Sequence, residues 1–360
     1  MELSLYFKII HKYYFRELLI SFVLSITAFN MILMMERILK FSMLLSGVGA
    51  SAFDFLKIIL LVQPQLFLLT IPMSLMTAVL FTYGRLNADN EIIVLKSAGI
   101  SFAALTRPVF LFGLLCFCAS AFNSFYLGPA TSRSLRQNVT SIIINKSPMA
   151  IKEGVFYTLF KNVVVLVREK PSDRAIKDVF VYDKRDNNRH WTIFAKEGSI
   201  NVYGEGGIEF VLKNGEVFLP DNKSITKISF SSYNMIIKFN PEITSQISEL
   251  TPFEVLRRTK ETTGEERISV FLEFHRRLAL PLLVLIISFF SPAFAMLSAK
   301  TGKLGGLSLA MLVFLAYYSM LIYFEKLART GGISHVAAGW IPFAVLLVIS
   351  IYVFRRENSR

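Results

Sequence analysis

Leu278–Leu297 reads LALPLLVLIISFFSPAFAML, a run without one charged side chain. At 1.5 Å of rise per residue, about 20 apolar residues cross the hydrocarbon core of a bilayer, so this stretch reads as a membrane span. Working outward, comparable blocks lie at about 17–36, 55–83 and 102–127 before it and at 305–328 and 337–354 after it, with the run itself set at 276–298. Prolines in the second span (Pro64, Pro72) and the fourth (Pro281, Pro292) predict kinks. A basic start (Lys8, Lys12, Arg16) precedes the first block. Glu36-Arg37 follows it where a signal peptide would carry small residues, so a retained first helix is expected.

Composition agrees with a membrane protein. Hydrophobic residues make up 53 % of the chain and mean hydropathy is +0.51. Lys and Arg number 39 against 26 Asp and Glu, a net charge of +13. The cations concentrate beside apolar spans, which points to phospholipid headgroups or an anionic lipid rather than to nucleic acid. Cys116 and Cys118 stand two apart within one apolar run and so face different sides of a helix, forming neither disulfide nor metal clip. Lys8, Lys12, Arg16, Arg85, Lys96, Arg107, Lys300, Lys303, Arg355, Arg356 and Arg360 flank one side. The short loops of the other side hold only Arg37, Lys40, Lys57, Lys326 and Arg329. By the positive-inside rule both termini are cytoplasmic and the segment between spans three and four lies outside.

That segment, between Leu127 and Leu278, has a different period. Val163–Val167, Asp178–Tyr182, Trp191–Ala195, Ile208–Leu212, Ile225–Phe230 and Met235–Phe239 are β-rich runs. Asp186-Asn187-Asn188, Gly204–Gly207, Asn214-Gly215 and Pro220-Asp221-Asn222 read as the turns between them. Many short strands at this spacing suggest a sandwich or jelly roll, stabilised by packing without disulfides. Val163, Val165 and Val167 share one strand face, and Phe180 and Tyr182 another; each face serves either a core or an acyl-chain groove. The polar stretch Thr251–Glu266 reads as a helix leading back to the membrane. The expected class is thus an α-helical membrane protein with six transmembrane helices and an inserted all-β, jelly-roll-like domain. Its divisions are 1–127 for the first three spans, 128–250 for the β domain and 251–360 for a connecting helix and the last three.

Between spans two and three stands GRLNADNEIIVLKSAGIS, Gly84–Ser101. Asn87 or Asp89 can cap a helix over about 85–98, Ile92, Ile93 and Leu95 give it an apolar side, and Gly99 can end it. Two readings stand: a solvated connector, or a coupling helix lying on a cytoplasmic motor subunit with Glu91 as a charged contact. No Walker A motif occurs, because around Gly302-Lys303 the upstream glycine is missing and Leu304 stands where Ser or Thr belongs. Glu273, His275, Arg276 and Arg277 at the mouth of span four lack the further ligands that a metal or acid–base site requires, which favours interfacial anchoring and intramembrane pairing. His11, His190 and His335 fit no catalytic or zinc spacing. No catalytic residue, metal or cofactor is expected.

The coupling segment resembles that of lipopolysaccharide-export permeases, the LptF/LptG family. The opening KYYFRELL (Lys12–Leu19), LTPFEVL (Leu250–Leu256), EFHRRLALP (Glu273–Pro281), Tyr317-Tyr318 and AAGWIP (Ala337–Pro342) are also similar to that family, in order along the whole chain. MMERILK (Met34–Lys40) and IKEGVF (Ile151–Phe156) look more like the LptF branch. The resemblance implies a bacterial inner-membrane subunit with a periplasmic jelly roll. By the same resemblance such a subunit would work with a dimeric LptB-type ATPase, a paralogous LptG-type permease and periplasmic LptC- and LptA-type bridge proteins, and would extract lipopolysaccharide from the outer leaflet. Arg85, Glu91, Ile92 and Leu95 would then contact the ATPase. Arg37, Lys40 and Lys326, at the outer ends of spans one and five, would hold the phosphorylated headgroup, although cations at helix ends also merely snorkel. Two other classes compete. A secondary transporter would show acidic residues mid-span and inverted repeats, and a membrane-anchored assembly protein would need no coupling helix.

Overall fold

The computed structural model describes residues 2–45, 50–150, 153–160, 162–172, 174–186, 190–203, 207–221, 224–238, 246–298 and 302–358. Helix α1 (Glu2–Leu45), α2 (Ala52–Ala88), the short α3 (Glu91–Ser97) and α4 (Phe102–Phe122) come first. A π turn, Asn123–Leu127, carries α4 into α5 (Gly128–Ala150). Strands β1 (Phe156–Phe160), β2 (Val163–Glu169), β3 (Ala175–Asp183), β4 (Trp191–Tyr203), β5 (Gly207–Asp221) and β6 (Ser224–Lys238) follow. After a 3-10 turn at Gln246–Glu249 come α6 (Pro252–Glu261), α7 (Gly264–Ser298), α8 (Gly302–Arg329) and α9 (His335–Asn358). Among the described residues six helices are long and apolar enough to cross a membrane, in the order expected from hydropathy.

The spans outrun their apolar blocks. Polar residues continue a helix once it has nucleated, so α1 reaches Leu45, and α4 runs through the π turn into α5. The stretch 128–150, expected to open the β domain, is therefore helical. The prolines of α2 and α7 lie inside unbroken helices. The connecting helix expected over Thr251–Glu266 is α6 as far as Glu261; the chain turns extended at Thr262, and Gly264–Glu266 open α7 instead. Thr251 and Glu254 form a capping box at the start of α6, with Pro252 at the first helical position, where no amide donor is needed.

Two compact units divide the chain. One comprises 1–35, 62–132 and 245–360; the other comprises 36–61 and 133–244. The first has a core in which Leu75, Val79 and Tyr83 of α2, Val109 of α4, and Leu283, Val284 and Phe290 of α7 are all buried. Helix α7 lies at its centre, with 72 % of its apolar window buried against 17 % for α8.

The second unit holds one antiparallel sheet in the order β1 to β6, each strand pairing with its sequence neighbours. Among the described strands there is no Greek-key crossover and no second sheet, the arrangement that strand spacing had suggested. Val163, Val165, Val167, Val179, Val181 and Ile193 share one face of a core that reaches from Tyr157 on β1 to Ile237 on β6, and every member of it comes from a strand. Such a sheet covers its own apolar face by coiling. The strands are longer than the runs that announced them. Ile225–Phe230 and the described part of Met235–Phe239 form the single strand β6. Asn214-Gly215, expected as a turn, lies inside β5, where register passes unbroken from Lys213↔Ser232 to Gly215↔Phe230. Asn214 takes φ 52, and a Cβ on Gly215 would collide with the Phe194 carbonyl and the Phe230 ring. The dipeptide serves a close approach of strands rather than a reversal. Residues 187–188, 204–206, 222 and 239 of the expected turns and strands, and Lys300 and Arg360 of the charge count, lie outside the described residues.

Candidate functional site

The site begins with what the bundle leaves uncovered. Apolar Leu24, Met31 and Ile32 of α1 are exposed, as are Met311, Leu312, Leu315 and Tyr323 of α8. In a bilayer such faces meet lipid tails, a partner or an apolar substrate. Between them a cleft of about 540 Å³ separates α1, α2 and α8. Phe29, Ile32, Phe81, Leu307 and Met311 supply its apolar wall. Ser21, Ser25 and Ala28 place a small-residue stripe along α1 by i, i+3 and i+4 spacing, so a bulky apolar group can approach the backbone. The hydroxyl of Thr82 donates to that of Ser21 at 3.3 Å. At one end the cleft is closed by charge: Arg85 pairs with Glu17 at 3.2 Å and donates to the Tyr13 hydroxyl at 3.1 Å.

The expected coupling segment resolves into two helices. Residues 85–88 end α2, the chain turns through Asn90 at φ 60, and α3 starts at Glu91. Asn90, not Asn87 or Asp89, occupies the cap position, and its side chain makes no capping bond. Gly99 ends the helix at φ 84, where its amide donates to the Lys96 carbonyl at 3.0 Å and that of Ile100 to the Leu95 carbonyl at 3.1 Å. Ile92 is 1 % exposed, and both Ile92 and Leu95 pack into the bundle core. The outward face carries Ile93 and Val94, 52 % and 65 % exposed, beside the half-buried Glu91. Of the residues expected to meet an ATPase, Ile92 and Leu95 are therefore directed inward, and Arg85 of α2 is engaged with Glu17 of α1. Sequence periodicity did not single out the exposed Val94, because on a seven-residue helix it does not say which side is covered.

Arg37 and Lys40 stand three residues apart on the C-terminal part of α1; Arg37 is half-buried and Lys40 exposed. Both belong to the second compact unit, whereas Lys326 is exposed in the last turn of α8 in the first. The structure thus joins the first two on one helix face and gives Lys326 the favourable setting of a cation at a helix C-terminus.

The charged group on α7 is internally matched. Arg276 donates to Glu325 of α8, with its Nε at 3.0 Å from Oε1 and its Nη2 bonding Oε2. Arg277 donates to Glu273 at 3.0 Å, to the Ile247 carbonyl at 2.9 Å and to the Leu250 carbonyl. His275 Nδ1 accepts from Trp340 Nε1 at 3.3 Å, so its proton sits on Nε2 and is donated to His335 Nδ1 at 3.2 Å. His335 stacks on Phe271 with ring centroids 4.2 Å apart. No group of three metal-ligating side chains occurs among the described residues. The side-chain pairing read from the sequence is present, and the contact of His275 with His335, 60 residues away, was not foreseeable from spacing.

With this geometry in hand, comparison with known proteins is decisive. Residues 12–356 match the family described as lipopolysaccharide export system permease LptF/LptG. An uncharacterized protein of Rickettsia prowazekii is 24 % identical over 278 residues, covering 75 % of this chain and 77 % of the relative. The lipopolysaccharide export system permease protein LptF of Escherichia coli K12 is 23 % identical over 299 residues, covering 80 % and 78 %, and that of Shigella flexneri matches equally. A match over nearly the full chain, six spans and an all-β insert agree, and the chain belongs to the LptF/LptG family of lipopolysaccharide export permeases.

Proposed function

We propose that this chain is the LptF-type half of an ATP-driven exporter that lifts lipopolysaccharide from the outer leaflet of the inner membrane and passes it toward a periplasmic bridge. The observation that carries the reading is the uncovered apolar surface of α1 and α8 around the α1–α2–α8 cleft. Exposing each CH₂ of an acyl chain to water costs about 0.8 kcal/mol, so extraction needs a continuous apolar shelter. One permease supplies half of it, and a paralogous LptG-type chain closes the other half.

Energy comes from outside the chain, since it carries no Walker A motif. Helix α3 is suited to transmit it: Ile92 and Leu95 fasten it to the bundle, while Ile93, Val94 and Glu91 remain to meet a dimeric LptB-type ATPase. A displacement of α3 passes to α2 and α4, which flank it in sequence. With the termini and α3 cytoplasmic, the β domain is periplasmic, and the edge strands β1 and β6 are open to strand addition by LptC- or LptA-type bridge proteins. Arg37 and Lys40 are the headgroup contacts, with Lys326 a third cation.

Native mass spectrometry of the tagged chain, purified gently from its host, tests the reading. The expected mass is this chain, one related permease and two ATPase subunits with lipopolysaccharide attached. A lone chain or a homodimer without ATPase overturns it and brings the secondary-transporter and scaffold readings forward.

A further inference from the structure

Helices α4 and α7 approach closely where Gly113 faces Ser288; a Cβ at Gly113 would collide with the serine side chain. Toward the end of the bundle that carries α3, they enclose with α9 a second cavity of about 440 Å³. Aromatic contacts form its wall, Phe110 to Phe289 at 4.8 Å and Phe289 to Phe354 at 6.1 Å between ring centroids, and Phe354 continues to Phe102 behind it at 5.7 Å. The hydroxyls that reach it are already used. Thr106 donates to the Ala103 carbonyl at 3.2 Å and Ser288 to that of Leu285 at 2.7 Å. With so few free polar partners the cavity is a poor site for water.

Among the described residues only Arg107 brings charge to the lining. It is exposed, and among the described residues it has no ion pair. Lys96 of α3 lies over the Phe102 ring at 5.6 Å, and the exposed Arg355 follows Phe354 on α9. One cation thus lines an apolar cleft, two more stand on α3 and α9 next to Phe102 and Phe354, and no carboxylate lines it among the described residues. Its complement is a molecule with an apolar tail and an anionic head.

We propose that this cleft binds one anionic phospholipid of the cytoplasmic leaflet, with an acyl chain between α4, α7 and α9 and the phosphate on Arg107. Lys96 makes the bound lipid a neighbour of α3, so occupancy steadies the coupling helix against α4. The leaflet assignment rests on the exporter reading; the binding chemistry does not. The cleft is separate from the α1–α2–α8 cleft proposed for the cargo, and shares no lining residue with it.

The test is native mass spectrometry of the intact complex from mixed micelles holding phosphatidylglycerol and phosphatidylcholine of identical chains in equal amounts. The wild type is expected to retain phosphatidylglycerol preferentially. Arg107→Gln should lower that retention about fivefold, the ratio one basic residue supplies at a membrane surface. Ala103→Phe, which fills the cleft, should lower retention of both lipids, and Arg267→Gln at the opposite end of α7 should change neither. Retention indifferent to headgroup, or unchanged in both cleft variants at unchanged thermal midpoint, overturns the proposal. The same spectra report the ATPase subunits, so a failed exporter reading is distinguished from a failed lipid site.

Discussion

Arg276 of α7 and Glu325 of α8 meet guanidinium to carboxylate through two bonds, with Glu325 only 8 % exposed. Arg276 also lies 3.8 Å from Glu273. The pair ties the largely uncovered α8 to the buried α7 at the end where α8 finishes. Removing one partner strands the other charge, which in a fully buried pair costs about 3–5 kcal/mol. Arg276 is 34 % exposed, so about 1–3 kcal/mol is expected for Glu325→Gln. Thermal unfolding of the purified complex reads the loss. In a double-mutant cycle, Arg276→Met combined with Glu325→Met should lose less than the two single changes summed; strict additivity would show that the pair does not couple.

Gly339 of α9 lets that helix rest on α7. A Cβ there would lie 2.6 Å from the Cβ of His275, a residue held by Trp340 and His335. Gly339→Ala is expected to destabilise by about 1–3 kcal/mol, the usual cost of overpacking. Gly84→Ala, which meets nothing within 4 Å, is the control and should keep the wild-type midpoint.

The two sides of α3 should separate in experiment. Ile92→Ala removes a fully buried side chain and should cost the permease about 2–5 kcal/mol of stability. Val94→Asp with Ile93→Asp touches only exposed positions, so the unfolding midpoint of the permease should hold while co-purification of the ATPase is lost. Intact co-purification in the double variant would remove α3 as the coupling surface.

Arg37→Glu together with Lys40→Glu should weaken lipopolysaccharide binding by about tenfold or more, since each reversal replaces attraction by repulsion near a phosphate. Crosslinking of lipopolysaccharide to the complex, measured at two salt concentrations, is the readout. Unchanged crosslinking would assign the two cations to snorkelling alone. Lys326→Gln is expected to have the smaller effect, because part of its role is met by its place at the end of α8.

What the sequence by itself determined is whatever depends on neighbours along the chain. Runs such as Leu278–Leu297 set the six spans, because a bilayer rewards about 20 consecutive apolar residues wherever the rest of the chain lies. The β-rich run Val163–Val167 set a strand, and the period-2 geometry of one extended segment put Val163, Val165 and Val167 on one side of it; packing decided that this side is the inward one. The polar stretch Thr251–Glu266 announced a helix before span four, and the structure adds the capping box of Thr251 and Glu254 that starts it. Tertiary structure alone decided which helix face is covered and which charges meet. Ile92 and Ile93 are neighbours of equal hydrophobicity, and only packing sends one inward and leaves the other out. Asn214-Gly215 has the composition of a turn, but pairing on both sides of β5 outweighed the local preference and drew it into a long strand. Arg276 with Glu325, and His275 with His335, are 49 and 60 residues apart. Their contacts follow from how α7, α8 and α9 pack, which no local period encodes.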